Sequence, residues 1–82
     1  MEKKIGTVSI LIKDRKIVEN VNNLLSSFGN IIVARQGIPL REEELFVISL
    51  VVKSHTDIIN ALTGKLGRLK GVKVRSMFIK TE

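Results

Sequence analysis

Apolar and small polar side chains alternate over Ile5–Ile12 (IGTVSILI), the period-two pattern of a strand. Gly6, Val8, Ile10 and Ile12 fall on one face, and Ile5, Thr7, Ser9 and Leu11 on the other. The period then lengthens. Ile17, Val18, Val21, Leu24, Leu25 and Phe28 make the stripe of an amphipathic helix, with Asp14 placed to cap its start and Gly29-Asn30 to stop it. Ile31–Gln36 and Leu45–Lys53 read as two further strands joined by a solvated turn at Arg41–Glu44. Between them Gly37-Ile38-Pro39 is expected to bend or bulge the backbone, since glycine admits positive φ and proline lacks a ladder donor. Ser54 and Asp57 are spaced as a capping box with Asp at its acidic position. A second helix is expected to bury Ile58, Ile59, Leu62, Leu66 and Leu69, to stop at Gly71, and to lead into a last strand over Val72–Lys80.

The order β-α-β-β-α-β is a repeat. VSILIK (Val8–Lys13) matches ISLVVK (Ile48–Lys53) at an offset of 40 residues. Ile17, Val18, Val21, Leu25 and Phe28 match the apolar stripe of the second helix at an offset of 41, and Ile31 and Val33 then meet Val72 and Val74. Two split βαβ units predict an α+β fold, the ferredoxin-like sandwich, with a four-stranded antiparallel sheet and both helices on one face. Residues 1–82 are expected to form one such domain.

The face of the sheet away from the helices should be polar if water covers it. Instead it carries Ile5, Leu11, Leu45, Val47 and Val51 on the first and third strands. Self-association into a dimer or tetramer is the simplest expectation. Size points the same way. A chain of 82 residues buries only about 60–65% of its unfolded surface, and small domains commonly add a staple or a partner. With no cysteine, neither a disulfide nor a thiolate metal site supplies that staple. No apolar run approaches a membrane span and the N-terminus does not read as a signal peptide, so a cytoplasmic protein is expected.

The formal charge of +6, from 14 Lys and Arg against 8 Asp and Glu, raises a polyanion partner as a question. RNA-recognition domains share this topology, but they stack bases on aromatics of the two central strands. Here those strands hold only Phe46, which the alternation turns toward the helices. Phosphate contacts by Arg35, Arg41, Arg68 or Arg75 remain open to such a partner.

Chemistry is sparse. Gly64 and Gly67 sit among Lys65, Arg68 and Lys70, yet they follow the start of the helix stripe, whereas a phosphate-binding loop precedes its helix. Close approach of another backbone, across a subunit contact, accounts for them better. His55 stands alone and reads as a surface residue rather than a metal ligand. Glu42-Glu43-Glu44 reads as a mobile acidic turn, since three successive side chains rarely converge on one cation. No nucleophile–base pair is visible, so no catalytic residue, metal or cofactor is assigned.

IIVARQGIPLREE (Ile31–Glu43) and ALTGKLGRLKGV (Ala61–Val72) resemble a family of small stand-alone proteins described as regulators of the iron-only hydrogenase system. That family is related in fold to ACT domains and to the C-terminal domain of the nickel-responsive regulator. The resemblance implies an ACT-like regulatory module whose subunits join through sheets and helices. It does not carry over a nickel site, which uses several histidines and a cysteine where this chain has one His and no Cys. ACT domains commonly hold amino acids at subunit interfaces near the loop after the first strand, often with glycine there. This chain has Lys13-Asp14-Arg15 at that loop.

The reading that results is a non-enzymatic regulatory module that oligomerises and binds a small effector or a protein partner at subunit interfaces. Asp14, Arg35 and Arg41 are the expected ligand-binding residues. The alternative is a nucleic-acid-binding protein acting through its basic surface.

Overall fold

The structure, a computed structural model, describes residues 3–79. Four strands, β1 (Lys4–Ile12), β2 (Ile32–Leu40), β3 (Leu45–Ser54) and β4 (Val72–Ile79), form one antiparallel sheet in the order β2-β3-β1-β4. Helices α1 (Val18–Ser27) and α2 (Thr56–Gly67) pack on one side of it, which is the ferredoxin-like arrangement. The alternation along the strands selects that side. Val8, Ile10 and Ile12 of β1 and Ile48, Leu50 and Val52 of β3 are buried against Val21 and Leu25 of α1 and Ile59, Leu62 and Leu66 of α2. Each such aliphatic contributes about 1.5–3 kcal/mol relative to exposure. Aliphatic burial therefore defines the core.

The connections depart from the expectation in several places. Asp14 does cap, accepting from Lys16 N at 2.9 Å, but what it caps is a 3₁₀ turn over Arg15–Ile17 that precedes α1. Ser54 does not cap α2. It is the buried last residue of β3, and His55 takes the cap position, its side chain making no capping bond to the helix. Ile58 is 37% exposed because the strand-to-helix junction turns it outward, while Leu69 packs on the core from beyond the end of α2. α2 already ends at Gly67, so Gly71, at φ +81, does not stop the helix but closes the turn into β4, in a conformation that favours glycine. Lys80, the expected last residue of β4, lies outside the described residues.

The largest departure is in β2, which runs to Leu40 rather than ending at Gln36. Gly37, Ile38, Pro39 and Leu40 pair in register with Ile48, Val47, Phe46 and Leu45, so the segment expected to bend is regular strand. The irregularity sits earlier, between Ile32 and Ala34, where Val33 bulges out and is 66% exposed. Pairing with β3 overrides the local breakers. Gly37 leaves room for the ring of Phe46, which would lie 3.1 Å from a Cβ there. Pro39 is tolerated because β2 is an edge strand.

The backbone directions at the two edges follow from one hydrogen bond. Lys13 N donates to Gly71 O at 2.9 Å, so the odd-numbered residues of β1 turn their peptide groups toward β4. By alternation, Lys73, Arg75, Met77 and Ile79 bond β1, while Val72, Val74, Ser76 and Phe78 turn N–H and C=O outward. The same alternation carried through β3 leaves Arg35, Gly37 and Pro39 facing outward from β2.

Candidate functional site

Ile12 closes β1 between Phe46 and Val72, and beyond it the chain must leave the sheet to enter α1. Asp14 shapes that exit by capping the 3₁₀ turn. On the far side of β3 the β2–β3 connection closes in a turn over Arg41–Glu44, with Glu44 N donating to Arg41 O at 3.2 Å. Glu44 is held at φ 57, a left-handed conformation that costs a non-glycine residue about 1–2 kcal/mol. Between these connections lies an open cleft of about 690 Å³. Its floor is Ile12, Val18, Pro39, Leu45 and Phe46, and Lys13, Arg15, Arg41 and Glu44 stand around its mouth. Three cations against one carboxylate give the mouth a positive field over an apolar floor, the combination that holds a small anion with a hydrophobic part.

Of the three residues expected to bind a ligand, Arg41 lines this cleft. Asp14 lies between two lining residues, Lys13 and Arg15, with its carboxylate engaged on Lys16 N. Arg35 is elsewhere, on the helix side of β2, where its guanidinium donates to Asn22 Oδ1 of α1 at 2.8 Å. One subunit therefore does not bring the three together. Lys13, Arg15 and Glu44 were missed because in the sequence they read as charges that end a strand or fill a turn. Only the distance across the sheet end makes them neighbours.

The open face of the sheet is banded. The residues across one row are Gln36, Ser49, Ser9 and Arg75, all polar. On one side of it run Ile38, Val47 and Leu11, and on the other Ala34, Val51, Thr7 and Met77. Leu40 with Leu45, and Ile5 with Ile79, extend the apolar rows outward. Ile38, Met77 and Ile79 are 38%, 63% and 42% exposed. No aromatic ring belongs to this face: Phe46 and Phe78 fall on the helix side by register, and Phe28 ends α1. A base-stacking platform is thus missing from the surface where this topology would present one. Among the described residues no group of three His, Cys, Asp or Glu side chains converges to hold a metal ion, and no helix is long and apolar enough to cross a membrane.

Residues 4–76 match the TM1266-like family, whose description reads "Iron-only hydrogenase system regulator, putative". The uncharacterized protein TM1266 from Thermotoga maritima is similar at 40% identity, with a TM-score of 0.92 over 96% of this chain and 100% of that one. The ACT domain from GTP pyrophosphokinase of Chlorobium tepidum superposes with a TM-score of 0.76 at 20% identity, over 94% of this chain and 89% of that one. An ACT domain protein from Streptococcus pneumoniae does so with a TM-score of 0.55 at 19% identity, covering 92% and 89%. These two likenesses establish an ACT-like fold. Among curated proteins none matches the chain in sequence.

Proposed function

Since the chain belongs to the TM1266-like family of iron-only hydrogenase system regulators, we propose that it is a non-enzymatic regulatory module that self-associates and takes up a small anionic effector. The observation that carries this reading is the cleft at the end of the sheet, where Lys13, Arg15 and Arg41 surround an apolar floor. Its volume is in the range of small-molecule sites. In this reading Arg41, Lys13 and Arg15 contact the anion and Asp14 keeps their loop in shape. Arg35, held on α1 at the β2 edge, is available to the effector only when a second subunit brings the two ends together. The open face supports self-association: its apolar rows are left partly exposed, and its polar row of Gln36, Ser49, Ser9 and Arg75 can find hydrogen-bond partners in a second copy.

Native mass spectrometry of the purified chain tests both parts at once. A dimer or tetramer retaining a small mass is expected, with that mass lost in Arg41→Glu and the subunit number kept. A charge introduced on the open face, at Val47→Glu, should instead leave monomers. A bare monomer from the unaltered chain would overturn the reading of the open face. Retention of the small mass by Arg41→Glu, Lys13→Glu and Arg15→Glu alike would overturn the cleft.

A further inference from the structure

The charge of this protein is segregated. Six of its 14 Lys and Arg, Lys65, Arg68, Lys70, Lys73, Arg75 and Lys80, fall within residues 58–80, a span with no Asp or Glu. The rest of the chain holds 8 cations against 8 acids, so the whole excess of +6 falls within residues 58–80. β4 is an edge strand, and α2 packs beside it. Lys73 and Arg75 of β4, with Arg68 and Lys70 of the turn leading into it, therefore lie at one border of the sheet, while Lys65 sits over the Phe28 ring.

That border is also a strand edge with outward peptide groups, guarded only by the charged side chains of Lys73 and Arg75. Natural sheets blunt exposed edges with charged side chains and also, more strictly, with prolines and bulges, because a row of free N–H and C=O groups templates another strand. β2 has two of these devices, the bulge at Val33 and Pro39, whose missing N–H falls on the outward side. β4 has neither. It pairs without interruption from Val72 to Ile79, and Val72, Val74, Ser76 and Phe78 direct their peptide groups outward. The guanidinium of Arg75 donates to Val74 O at 2.9 Å, which satisfies one of these carbonyls from a flexible side chain.

Above the edge there is space. A groove of about 600 Å³ runs between α2 and β4, bounded by Thr63, Gly64, Gly67, Lys73, Arg75 and Ser76 among others. A Cβ at Gly64 or Gly67 would meet nothing within 4 Å, so among the described residues no other element approaches these glycines. A strand added beside β4 would send alternate side chains into this groove and the others past Lys73 and Arg75.

We propose that β4 receives an extended, acidic segment of a partner protein, added as a fifth strand, with its carboxylates on Lys73 and Arg75 and its alternate side chains over Gly64 and Gly67. Backbone pairing supplies the attachment and the cations supply the selectivity. A second copy of this chain is disfavoured at this edge because each border carries the same positive charge. A nucleic acid would use the cations but leave the outward peptide groups of β4 without strand-like partners.

The test is fluorescence anisotropy of the full chain with a labelled peptide of alternating Glu and Val, about ten residues long to span the strand. The control peptide alternates Glu and Pro, with the same charge and no capacity to pair. Saturable binding of the Glu-Val peptide alone is expected. It should weaken by at least about tenfold in Ser76→Pro, which removes an outward N–H as Pro39 does on β2, and in Gly64→Leu, which fills the groove. Because Gly64 faces open space, the second variant keeps the fold if the first does not, and the amides of Val74 and Ser76 should gain protection from hydrogen exchange on binding. No binding at low salt would overturn the proposal. Equal binding of the two peptides, or binding of a thymidine oligonucleotide that ignores both variants, would reduce the border to an electrostatic patch and also overturn it. A change in subunit number caused by Ser76→Pro or Gly64→Leu without peptide would assign the edge to a second copy instead. The cleft and its effector stand or fall separately, since neither variant touches them.

Discussion

The two borders of the sheet are built from the two halves of the same repeat, and they have been finished differently. Both put a helix beside an edge strand, with Val21 and Leu25 of α1 matching Leu62 and Leu66 of α2 as core anchors. On the α1 side the border is closed. Arg35 reaches from β2 to Asn22 of α1, Val33 bulges and Pro39 deletes an outward donor. On the α2 side, among the described residues, no side-chain hydrogen bond joins α2 to β4. Thr63, the counterpart of Asn22, turns its hydroxyl back to Asn60 O at 3.2 Å, and glycines follow where α1 has Asn23 and Ser26. The buried half of each repeat answers to one common core and stays alike. The borders answer to whatever lies outside, so they are free to diverge.

The largest test of this comparison lies in the shared core. Leu25→Ala and Leu66→Ala should each cost about 2–5 kcal/mol, read as urea midpoints at unchanged slope. If the two costs differed by more than about 1–2 kcal/mol, the halves would not be equivalent even where they are buried.

Next comes the edge itself. Gly37→Val should cost about 1–3 kcal/mol, because its Cβ would press on the Phe46 ring at 3.1 Å. The corresponding change on the other border, Ser76→Val, should stay within about 0.5 kcal/mol. Equal losses by thermal denaturation would show that both edges are tightly packed and would remove the contrast.

Gly64→Ala should raise stability by up to about 1 kcal/mol, since a methyl group there meets nothing within 4 Å. A loss on chemical denaturation would mean that something in solution already occupies the groove. The smallest effect is expected from Arg35→Ala, under about 1 kcal/mol, because the bond to Asn22 is exposed. Its sharper readout is hydrogen exchange, where the amides of Ala34 and Gln36, which face β3, should lose protection while those of β4 do not change.

The sequence by itself determined the order of elements, the faces and the fold. Val8, Ile10 and Ile12 alternate because a pleated chain must put them on one side, and Val21 and Leu25 repeat because a helix must do the same. These periods are local geometry and can be read without partners. Of the three ligand-binding candidates it offered, Arg41 lies at the cleft.

Only the tertiary structure decided what depends on a neighbour distant in the chain. β2 continues through Gly37 and Pro39 because β3 offers a partner out to Leu45, and local propensity is weaker than that pairing. Lys13, Arg15 and Glu44 become one cleft because β1 and β3 end side by side. Arg68, Lys70, Lys73 and Arg75 gather at a border because strand order places β4 outermost. Each of these is a consequence of strand order and register, which are set by the burial of the whole sheet and have no local signature.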